Sequence, residues 1–399
     1  MPGAKQPRVV VVGGSLGGVN AALWLREAGC EVEVFERTTA PLEDRGAGIV
    51  LNPATVRYFT CHGQSNLTGL SAATRWFRYL ATDGSIAAEE YTPYRFTGYS
   101  VLLAGLIRFL GEDSYHRGEE CIGFEPGETG VRVRFRSGRV EQCDLLVFAD
   151  GIRSTGRRLL FPDAQPRYAG YVAWRGTIGE EELSAETFDV LEEAISYAIL
   201  PDSHALTYPI PDRHGTVEVG QRLTNWLWYR NVAPGDEIDD LLTDEMGIRH
   251  DISVSPAAIR HEHIRQLRED AAALPPAFRE MIEKTPGPFI QVVFDVEVPR
   301  MLEGRVCLLG DAAFAARPHA AAGTAKAAED GRKLGEAIAA SNGDVVEALR
   351  HWEPGQLALG RQLVARSREA GKRLQGGRWI VGEPLPFGLY ESGDSIFVD

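Results

Sequence analysis

The chain has 399 residues, of which 44% are hydrophobic and 25% are charged, and its formal net charge is −14. This length is too great for one ordinary core and suits two domains, and the composition is that of a globular protein. The acidic balance argues against a nucleic-acid ligand, and no apolar run approaches the ~20 residues of a membrane helix.

The cysteines and the first residues indicate a cellular location. The five cysteines are scattered and form no Cys-x-x-Cys pair, which is typical of free thiols in a reducing compartment. Residues 1–8 are polar and contain no apolar segment of the secretory kind. We therefore expect a cytoplasmic protein.

The first predicted unit, over residues 8–37, is a strand, a tight turn, a helix and a second strand. Val9 to Val12 is an apolar run of β-branched residues, and helical spacing follows over residues 19–28. Residues 31–36 alternate between polar and apolar side chains. This order predicts a βαβ unit and hence a parallel sheet.

The turn of this unit has the glycine spacing of a dinucleotide site. Gly13 suits a tight turn, and Gly18 permits close packing of the helix on the strand. Ser15 stands where the strict pattern has glycine, and its hydroxyl can reach a phosphate. Glu36 ends the second strand, where an acidic residue binds a ribose hydroxyl. The alternative is a βαβ turn without a ligand.

Two later apolar strands also end in glycine and aspartate. Residues 145–148 lead to Asp150 and Gly151, and residues 306–309 lead to Gly310 and Asp311. Each pair alone is weak evidence, because such pairs are common in loops. Each follows a continuous apolar strand, and the carboxyl ends of strands form the ligand crevice of a parallel sheet.

The rest of the chain predicts other elements. Residues 131–140 alternate around a turn and predict an antiparallel hairpin. Short aromatic or β-branched runs over residues 168–178, 205–211 and 216–219 are separated by glycine and proline, so we expect a mostly antiparallel sheet in a second domain. Helical periodicity returns over residues 324–374.

The three motifs above are called the first, second and third fingerprints, over residues 8–18 with 34–37, residues 145–154 and residues 306–313. Four further segments, added to these fingerprints, carry a resemblance to a known family. They are residues 168–176, 208–211, 228–233 and 317–323. With them, the whole chain resembles the single-component FAD-dependent aromatic monooxygenases, the group of p-hydroxybenzoate hydroxylase. Within that group the likeness is greatest to enzymes that act on hydroxypyridines.

The resemblance implies an α/β fold of two domains. A Rossmann-type FAD-binding domain with a parallel sheet would be discontinuous in sequence and consist of residues 1–70, 97–165 and 290–342. A substrate-binding domain on the antiparallel sheet would consist of residues 71–96 and 166–289. A C-terminal helix and tail would occupy residues 343–399.

The resemblance also implies FAD as cofactor and assigns residues to it. The positions that match the ADP-binding residues of the family are Gly13, Ser15, Leu16, Gly18, Glu36 and Arg37. Those that match contacts to the ribityl chain are Arg45 and Asp311, and those that match a motif linked to both FAD and pyridine nucleotide are Asp150 and Gly151. The loop beside the flavin ring would contain Pro318, Ala321, Ala322 and Gly323.

The implied reaction is hydroxylation of a small electron-rich ring with NAD(P)H and O₂, through a flavin C4a-hydroperoxide. A hydroxylated ring reacts better as its anion, which calls for a base or a hydrogen-bond chain. The candidate catalytic residues are His204, Tyr208 and His319. The alternatives are a solvent-facing loop histidine at 204, a packed aromatic at 208 and a loop-shaping contact at 319.

Other interpretations concern single residues and the whole activity. Arg175 is expected to pair with an acid, and the tryptophans at 174, 226 and 228 to fill core or wall a pocket. His261 and His263 have poor spacing for zinc, and we expect no metal. An oxidase or reductase of the same fold, or a flavin-binding module without turnover, remains an alternative function. The expected partners are an aromatic substrate, NAD(P)H and O₂, with neither nucleic acid nor membrane, and the family suggests a homodimer.

Overall fold

The computed structural model describes residues 6–40, 48–63, 67–385 and 387–389. The strands are β1 (Arg8–Val12), β2 (Glu31–Glu36), β3 (Gly48–Val50), β4 (Ala72–Leu80), β5 (Ile86–Gly98), β6 (Tyr115–Arg117), β7 (Cys121–Pro126), β8 (Val131–Phe135), β9 (Val140–Cys143), β10 (Leu145–Phe148), β11 (Arg167–Gly179), β12 (Ala194–Ile199), β13 (Ser203–Ile210), β14 (Leu223–Asn231), β15 (Ser253–Val254), β16 (Phe289–Glu297), β17 (Leu302–Glu303), β18 (Val306–Leu308) and β19 (Phe314–Ala315). The helices are α1 (Leu16–Glu27), α2 (Pro53–Cys61), α3 (Tyr99–Leu110), α4 (Thr155–Leu160), α5 (Ala185–Leu191), α6 (Asp236–Leu241), α7 (His261–Asp270), α8 (Pro276–Lys284), α9 (Gly323–Ala340) and α10 (Val345–Gln375). Within these described ranges no helix has the length and apolarity that a membrane crossing needs.

The first sheet has the strand order β17-β18-β10-β1-β2-β6. All its pairings are parallel except the one between β17 and β18 at the edge. Its central strands are apolar on both faces because both faces are covered. Helix α1 packs closely on α9, where a Cβ at Gly331 would lie 2.6 Å from Ala21 Cα. On the other face the predicted hairpin, extended to the three-stranded sheet β7-β8-β9, brings Phe135 against Phe35.

The second sheet has the order β15-β16-β11-β14-β13-β12-β4-β5-β3. Among the described strands of this sheet only β12 and β4 pair in parallel, which confirms a mostly antiparallel sheet. Together the two sheets confirm the predicted α/β fold class. The domain boundary at residue 290 stays a prediction, but β16 hydrogen-bonds with β11 along the second sheet. That pairing favours a boundary after Glu297.

Alternation along the strands gives the second sheet two different faces. One face carries the three tryptophans, Trp174, Trp226 and Trp228, which are buried with apolar side chains of α7 and α8. The tryptophans therefore fill core. The opposite face, called the aromatic face below, carries Tyr171, Tyr197, His204, Tyr208 and Tyr229.

The C-terminal helical segment consists of two helices, α9 and α10. Asp344 ends the turn between α9 and α10 and accepts hydrogen bonds from Val346 N–H and Glu347 N–H, which caps the second helix. The last turns of α10 place Ala370 and Leu374 against the aromatic face. This helix therefore covers the surface that carries two of the candidate catalytic residues.

Candidate functional site

The three fingerprints meet at one edge of the first sheet because they follow adjacent strands, β1, β10 and β18. Gly13 has φ +107°, and a Cβ there would lie 2.4 Å from the carbonyl oxygen of Ala149. Added Cβ atoms at Gly17 and Gly310 would each lie 3.1 Å from Ala327 Cβ. The first and third fingerprints thus contact the same residue of α9.

The first turn is closed by a buried carboxylate. Glu36 Oε2 accepts from Gly14 N–H at 2.8 Å, and its Oε1 accepts from Thr38 N–H at 2.9 Å. Gly18 is required here, since a Cβ on it would lie 1.9 Å from Gly13 O. Ser15 Oγ lies 2.7 Å from Tyr99 Oη. A carboxylate at the end of β2, beside a glycine turn and a helix N-terminus, has the chemistry of a nucleotide site.

Two other predicted ADP residues flank this turn in different environments. Leu16 is buried as the first residue of α1, so its contribution is packing beside the turn. Arg37 follows β2 and is exposed. Arg45 lies outside the described residues.

The second fingerprint holds a carboxylate with one free oxygen. Asp150 Oδ2 accepts from Thr155 N–H at 2.6 Å and from Gly156 N–H at 3.4 Å. Its Oδ1 is buried and has no partner among the described residues. Burial raises the pKa of this carboxyl. Gly151 has φ +73°, a backbone conformation that favours glycine.

The third fingerprint is held from beneath by a buried ion pair. Asp330 Oδ2 accepts from Gly310 N–H at 2.8 Å and from Lys326 Nζ at 2.6 Å. Asp311, the next residue, is exposed, and desolvation by the protein around its carboxyl raises the pKa of that group, although the Lys326 charge lowers it. The turn therefore presents Asp311 from a fixed backbone.

The predicted flavin-side loop lies against the aromatic face. His319 is 4% exposed, and its Nε2 lies 2.7 Å from Tyr171 Oη. Its ring centroid is 5.1 Å from that of His204 and 5.2 Å from that of Tyr229. Burial lowers the pKa of His319 well below its usual value, so the ring is neutral. Asn52 Nδ2 donates to Ala321 O at 2.9 Å and holds the loop, where Ala321 has φ +47°.

The remaining loop residues differ in exposure. Pro318 is exposed, Ala322 is buried, and Gly323 is the exposed first residue of α9. A helix of this length concentrates a partial positive charge at its N-terminus. The loop therefore ends at a point that favours a negatively charged or electron-rich group.

His204 lies within strand β13 and is fully buried, so its interpretation as a solvent-facing loop residue is wrong. Its Nδ1 lies 2.7 Å from Gln375 Oε1, and its Nε2 is buried without a partner among the described residues. Burial lowers the pKa of the imidazole to about 3, so the ring is neutral near pH 7. A buried polar atom without a partner costs about 1–3 kcal/mol, which a bound polar group would recover.

Tyr208 is both a packed aromatic and a polar contact. Its ring stacks on Phe96 with centroids 4.2 Å apart, and its hydroxyl donates to Gly48 O at 2.9 Å. Burial raises the pKa of the phenol to about 12. Beside it, Asn225 Oδ1 accepts from Gly48 N–H at 3.3 Å, whereas Asn225 Nδ2 is buried without a partner in the described part of the chain.

Arg175 lies on the same face of the sheet. Its Nη1 donates to Gln291 Oε1 at 2.7 Å. The prediction that Arg175 pairs with an acid is wrong for the described residues, because none of their carboxylates lies within salt-bridge distance of it. The guanidinium is thus held by a neutral amide.

These side chains surround a small apolar area. The polar-rimmed patch consists of Leu206 and Leu227, which are cross-strand neighbours, surrounded by Arg175, His204, Tyr208 and Asn225. Four residues along a strand span about 13 Å, and two strand spacings span about 10 Å. The polar residues of the rim are therefore spaced on the scale of one aromatic ring with polar substituents.

The His261 and His263 pair has other partners. His261 lies at the surface 3.3 Å from Glu245 Oε1, and His263 Nε2 lies 2.6 Å from Arg260 Nη2. Across the described ranges no group of three or more potential ligands gathers around a common point.

Sequence reasoning missed several residues of this arrangement. Tyr171 and Tyr229 contact His319, Gln375 contacts His204, and the pair of Lys326 and Asp330 supports the third fingerprint. Alternation in β11 separates Tyr171 and Arg175 from Trp174, but the face that each set occupies depends on the pairing of distant strands. The i,i+4 spacing of Lys326 and Asp330 was a visible signal of an ion pair.

Comparison with known proteins agrees with this geometry. A family model described as FAD binding domain-like matches residues 168–295. The chain is 37% identical over 385 residues to 2,6-dihydroxypyridine 3-monooxygenase of Paenarthrobacter nicotinovorans, with 96% of each chain covered. It is 30% identical over 381 residues to 3-amino-4-hydroxybenzoate 2-monooxygenase of Streptomyces platensis, with 92% of this chain and 88% of that protein covered.

A solved structure gives the same result. The TM-score is 0.92 against 2,6-dihydroxypyridine-3-hydroxylase from Arthrobacter nicotinovorans, at 36% identity, over 97% of this chain and 98% of the other. Similarity at this level, over nearly the full length of both chains, confirms the family expected from the sequence. The chain therefore belongs to the FAD-dependent aromatic monooxygenases, oxidoreductases that bind FAD and take NAD(P)H as co-substrate.

Proposed function

We propose that the chain hydroxylates a single aromatic ring that carries a hydroxyl group, with hydroxypyridines as the first substrates to test. The observation that carries this proposal is the contact between the flavin-side loop and the aromatic face, where His319 meets His204. The patch beside these rings is on the scale of one ring, and its rim has polar atoms that lack a partner among the described residues. The names of the relatives add support, since they act on a dihydroxypyridine and an aminohydroxybenzoate.

We propose that FAD lies across the edge where the three fingerprints meet. The glycine turn would admit the pyrophosphate, with Gly13, Ser15, Leu16 and Gly18 around it and Glu36 and Arg37 on the adenosine side. Asp311, Asp150 and Gly151 would border the middle of the cofactor, with Arg45 near its ribityl chain. The free Oδ1 of Asp150 and the glycine cradle fit such a ligand. When bound, FAD supplies the reduction of oxygen that the hydroxylation requires.

The loop from Pro318 through Ala321 and Ala322 to Gly323 would border the flavin ring. It packs on the aromatic face, so a ring on the polar-rimmed patch would lie close to that loop and away from water. Excluding water protects reactive oxygen species from wasteful breakdown. Helix α10 would complete the enclosure, because it covers the same face.

We propose separate roles for the three candidate catalytic residues. His204 is neutral, and its Nε2 would accept a hydrogen bond from the substrate hydroxyl, which increases electron density in the ring. His319 is also neutral, and the bond between its Nε2 and the Tyr171 hydroxyl would hold its ring beside the substrate. Tyr208 already donates its proton to Gly48 O, so its oxygen can accept but not donate in this arrangement. Arg175 would favour a substrate that is partly or fully anionic.

The proposal extends to location and assembly. The five cysteines are free thiols, and four of them are buried, which supports a reducing compartment such as the cytoplasm. A homodimer remains a prediction, which size-exclusion chromatography with light scattering can test.

The decisive experiment measures turnover on the purified FAD-loaded protein. A panel of hydroxypyridines, phenols and purine-like rings is tested for stimulated oxidation of NADH and of NADPH. We expect a hydroxypyridine to stimulate oxidation, with one O₂ consumed per ring and a product heavier by one oxygen atom. Stimulated oxidation without oxygen in the product would favour an oxidase or reductase, and a flavin-loaded protein that oxidises no NAD(P)H would indicate a binding module.

A further inference from the structure

A chain of three side chains runs from the backbone to the buried histidine of β13. His204 Nδ1 lies 2.7 Å from Gln375 Oε1, and Gln375 Nε2 donates to Asn231 Oδ1 at 2.9 Å. Asn231 Nδ2 in turn donates to two backbone oxygens, Asp202 O at 2.8 Å and Gln375 O at 3.1 Å. The three residues come from β13, β14 and the last residue of α10.

The two backbone oxygens determine the direction of every bond in this chain. A carbonyl oxygen can only accept, so the Asn231 amide must turn its nitrogen toward Asp202 O and Gln375 O. The Asn231 side-chain oxygen then faces Gln375, so Gln375 must donate to it from its own amide nitrogen. The Gln375 side-chain oxygen therefore faces His204. Because this oxygen has no hydrogen to donate, the proton of the bond must lie on His204 Nδ1.

We propose that Gln375, held by Asn231, is a positioning residue that fixes His204 as the Nδ1–H tautomer and offers its Nε2 to a hydroxyl or ring N–H of the aromatic substrate. The proposal rests on the proposed function and names the chemistry of the substrate more closely. It requires a hydrogen-bond donor on the ring at the position that meets His204.

The surroundings of His204 support a fixed acceptor. Nε2 is buried without a partner among the described residues, although Nδ1 is satisfied. The imidazole of His204 stacks on the Tyr229 ring, with centroids 4.7 Å apart and an angle of 19° between the planes. The Tyr197 ring is parallel to the imidazole, with a centroid distance of 6.4 Å. These rings restrict rotation of the imidazole, so the unshared pair on Nε2 keeps one direction.

The tautomer has a consequence for substrate choice. An acceptor atom gains from a ring hydroxyl or N–H but gains nothing from a methoxy group, which has no proton to donate. A ring that carries methoxy groups in place of hydroxyls would leave Nε2 without a partner. We expect it to bind at least about tenfold more weakly than the hydroxyl-bearing ring, the lower part of the range for an unsatisfied buried polar atom.

The tautomer is measured directly by nitrogen NMR on the full-length FAD-loaded protein labelled with ¹⁵N-histidine. The His204 signals are assigned by their loss in His204→Gln. We expect a protonated Nδ1 and an unprotonated Nε2 in the wild type, and loss of that pattern in Gln375→Met. Gln362→Met, at an exposed position of the same helix, is the control and should keep the pattern.

A second variant keeps the test valid if Gln375→Met does not fold. Gln375→Glu still offers an oxygen to Nδ1–H, so at pH 8 it should keep Nε2 unprotonated. A wild type with a protonated Nε2, or a Gln375→Met spectrum identical to the wild type, would overturn the proposal. So would a Gln375→Glu protein that carries its proton on Nε2 alone.

The binding arm compares 2,6-dihydroxypyridine with 2,6-dimethoxypyridine by the change in flavin absorbance. We expect the wild type and Gln362→Met to prefer the dihydroxy ring by tenfold or more, and Gln375→Met to lose most of that preference. An unchanged preference in Gln375→Met would refute the positioning role. The Nδ1–H tautomer in a protein that hydroxylates none of the rings would refute the proposed function alone, whereas full hydroxylation with the other tautomer would refute only this inference.

Discussion

The buried ion pair beneath Asp311 gives the strongest stability prediction. The side chains of Lys326 and Asp330 are 1% and 0% exposed, and one oxygen of Asp330 has no partner among the described residues. Lys326→Met keeps the length of the side chain and its contact with the Phe314 ring but removes the ammonium. The buried carboxylate then keeps only Gly310 N–H, so we expect a loss of about 3–5 kcal/mol in the free energy of unfolding. That is a large part of the roughly 5–15 kcal/mol that stabilises a typical domain.

The assay is urea unfolding of the wild type, Lys326→Met, Asp330→Asn and the double variant. In the double variant the amide oxygen still accepts from Gly310 N–H and no charge is buried, so most of the loss should be recovered. Burial already raises the pKa of Asp330, so protonation of its carboxyl should reduce the penalty of Lys326→Met as the pH falls. A single variant within about 0.5 kcal/mol of the wild type, or a double variant no better than Lys326→Met, would refute the reasoning.

Four further predictions follow from the same contacts. Gly18→Ala should abolish FAD retention, because its Cβ would lie 1.9 Å from Gly13 O, and retained flavin absorbance would contradict this. Asp311→Ala should weaken FAD binding, measured as flavin released on dilution, and unchanged occupancy would remove Asp311 from the site. His204→Ala should slow hydroxylation more than flavin reduction in single-turnover absorbance measurements, and equal slowing would count against its role at the substrate. Folding lowers the pKa of His204 from 6.5 to about 3, so the unfolded chain binds a proton on this residue more readily than the folded one between these pH values. The free energy of unfolding should therefore decrease by about 1.4 kcal/mol for each pH unit as the pH falls through this range. In His204→Gln, unfolding measured against pH should lack this contribution.

The sequence predicted the cofactor end of the molecule in detail because its signals are local. Gly13, Gly18 and Glu36 lie within one βαβ unit, so strand, turn and helix patterns specify their arrangement without any distant contact. Each of the other two fingerprints follows a continuous apolar strand, and parallel pairing places such strand ends at one edge of the sheet. These features predicted the cofactor-binding fold, and together with the four segments that carry the family resemblance they led to the family and the general activity, all of which are confirmed.

The substrate end of the molecule was harder to predict from the sequence because its residues come from distant segments. His204 was expected before its strand, and its partner Gln375 lies 171 positions later in the chain. The helical periodicity over residues 324–374 forms two helices, and the second of them reaches the aromatic face through Ala370 and Leu374. No periodicity within one segment reports which residue of α10 meets which residue of β13.

This difference explains why the family was easier to predict than the substrate. The patch is assembled from β11, β13 and β14, and its polar rim depends on the register between them: Tyr208 lies opposite Asn225, and His204 opposite Tyr229. A shift of one residue in that register would move His204 to the tryptophan face. Neighbouring residues of the same strands, such as Trp228, are chemically plausible pocket residues and yet fill core. Substrate recognition in this chain is therefore a property of strand pairing, and the hydrogen-bond direction at His204 can be assigned only after that pairing is known.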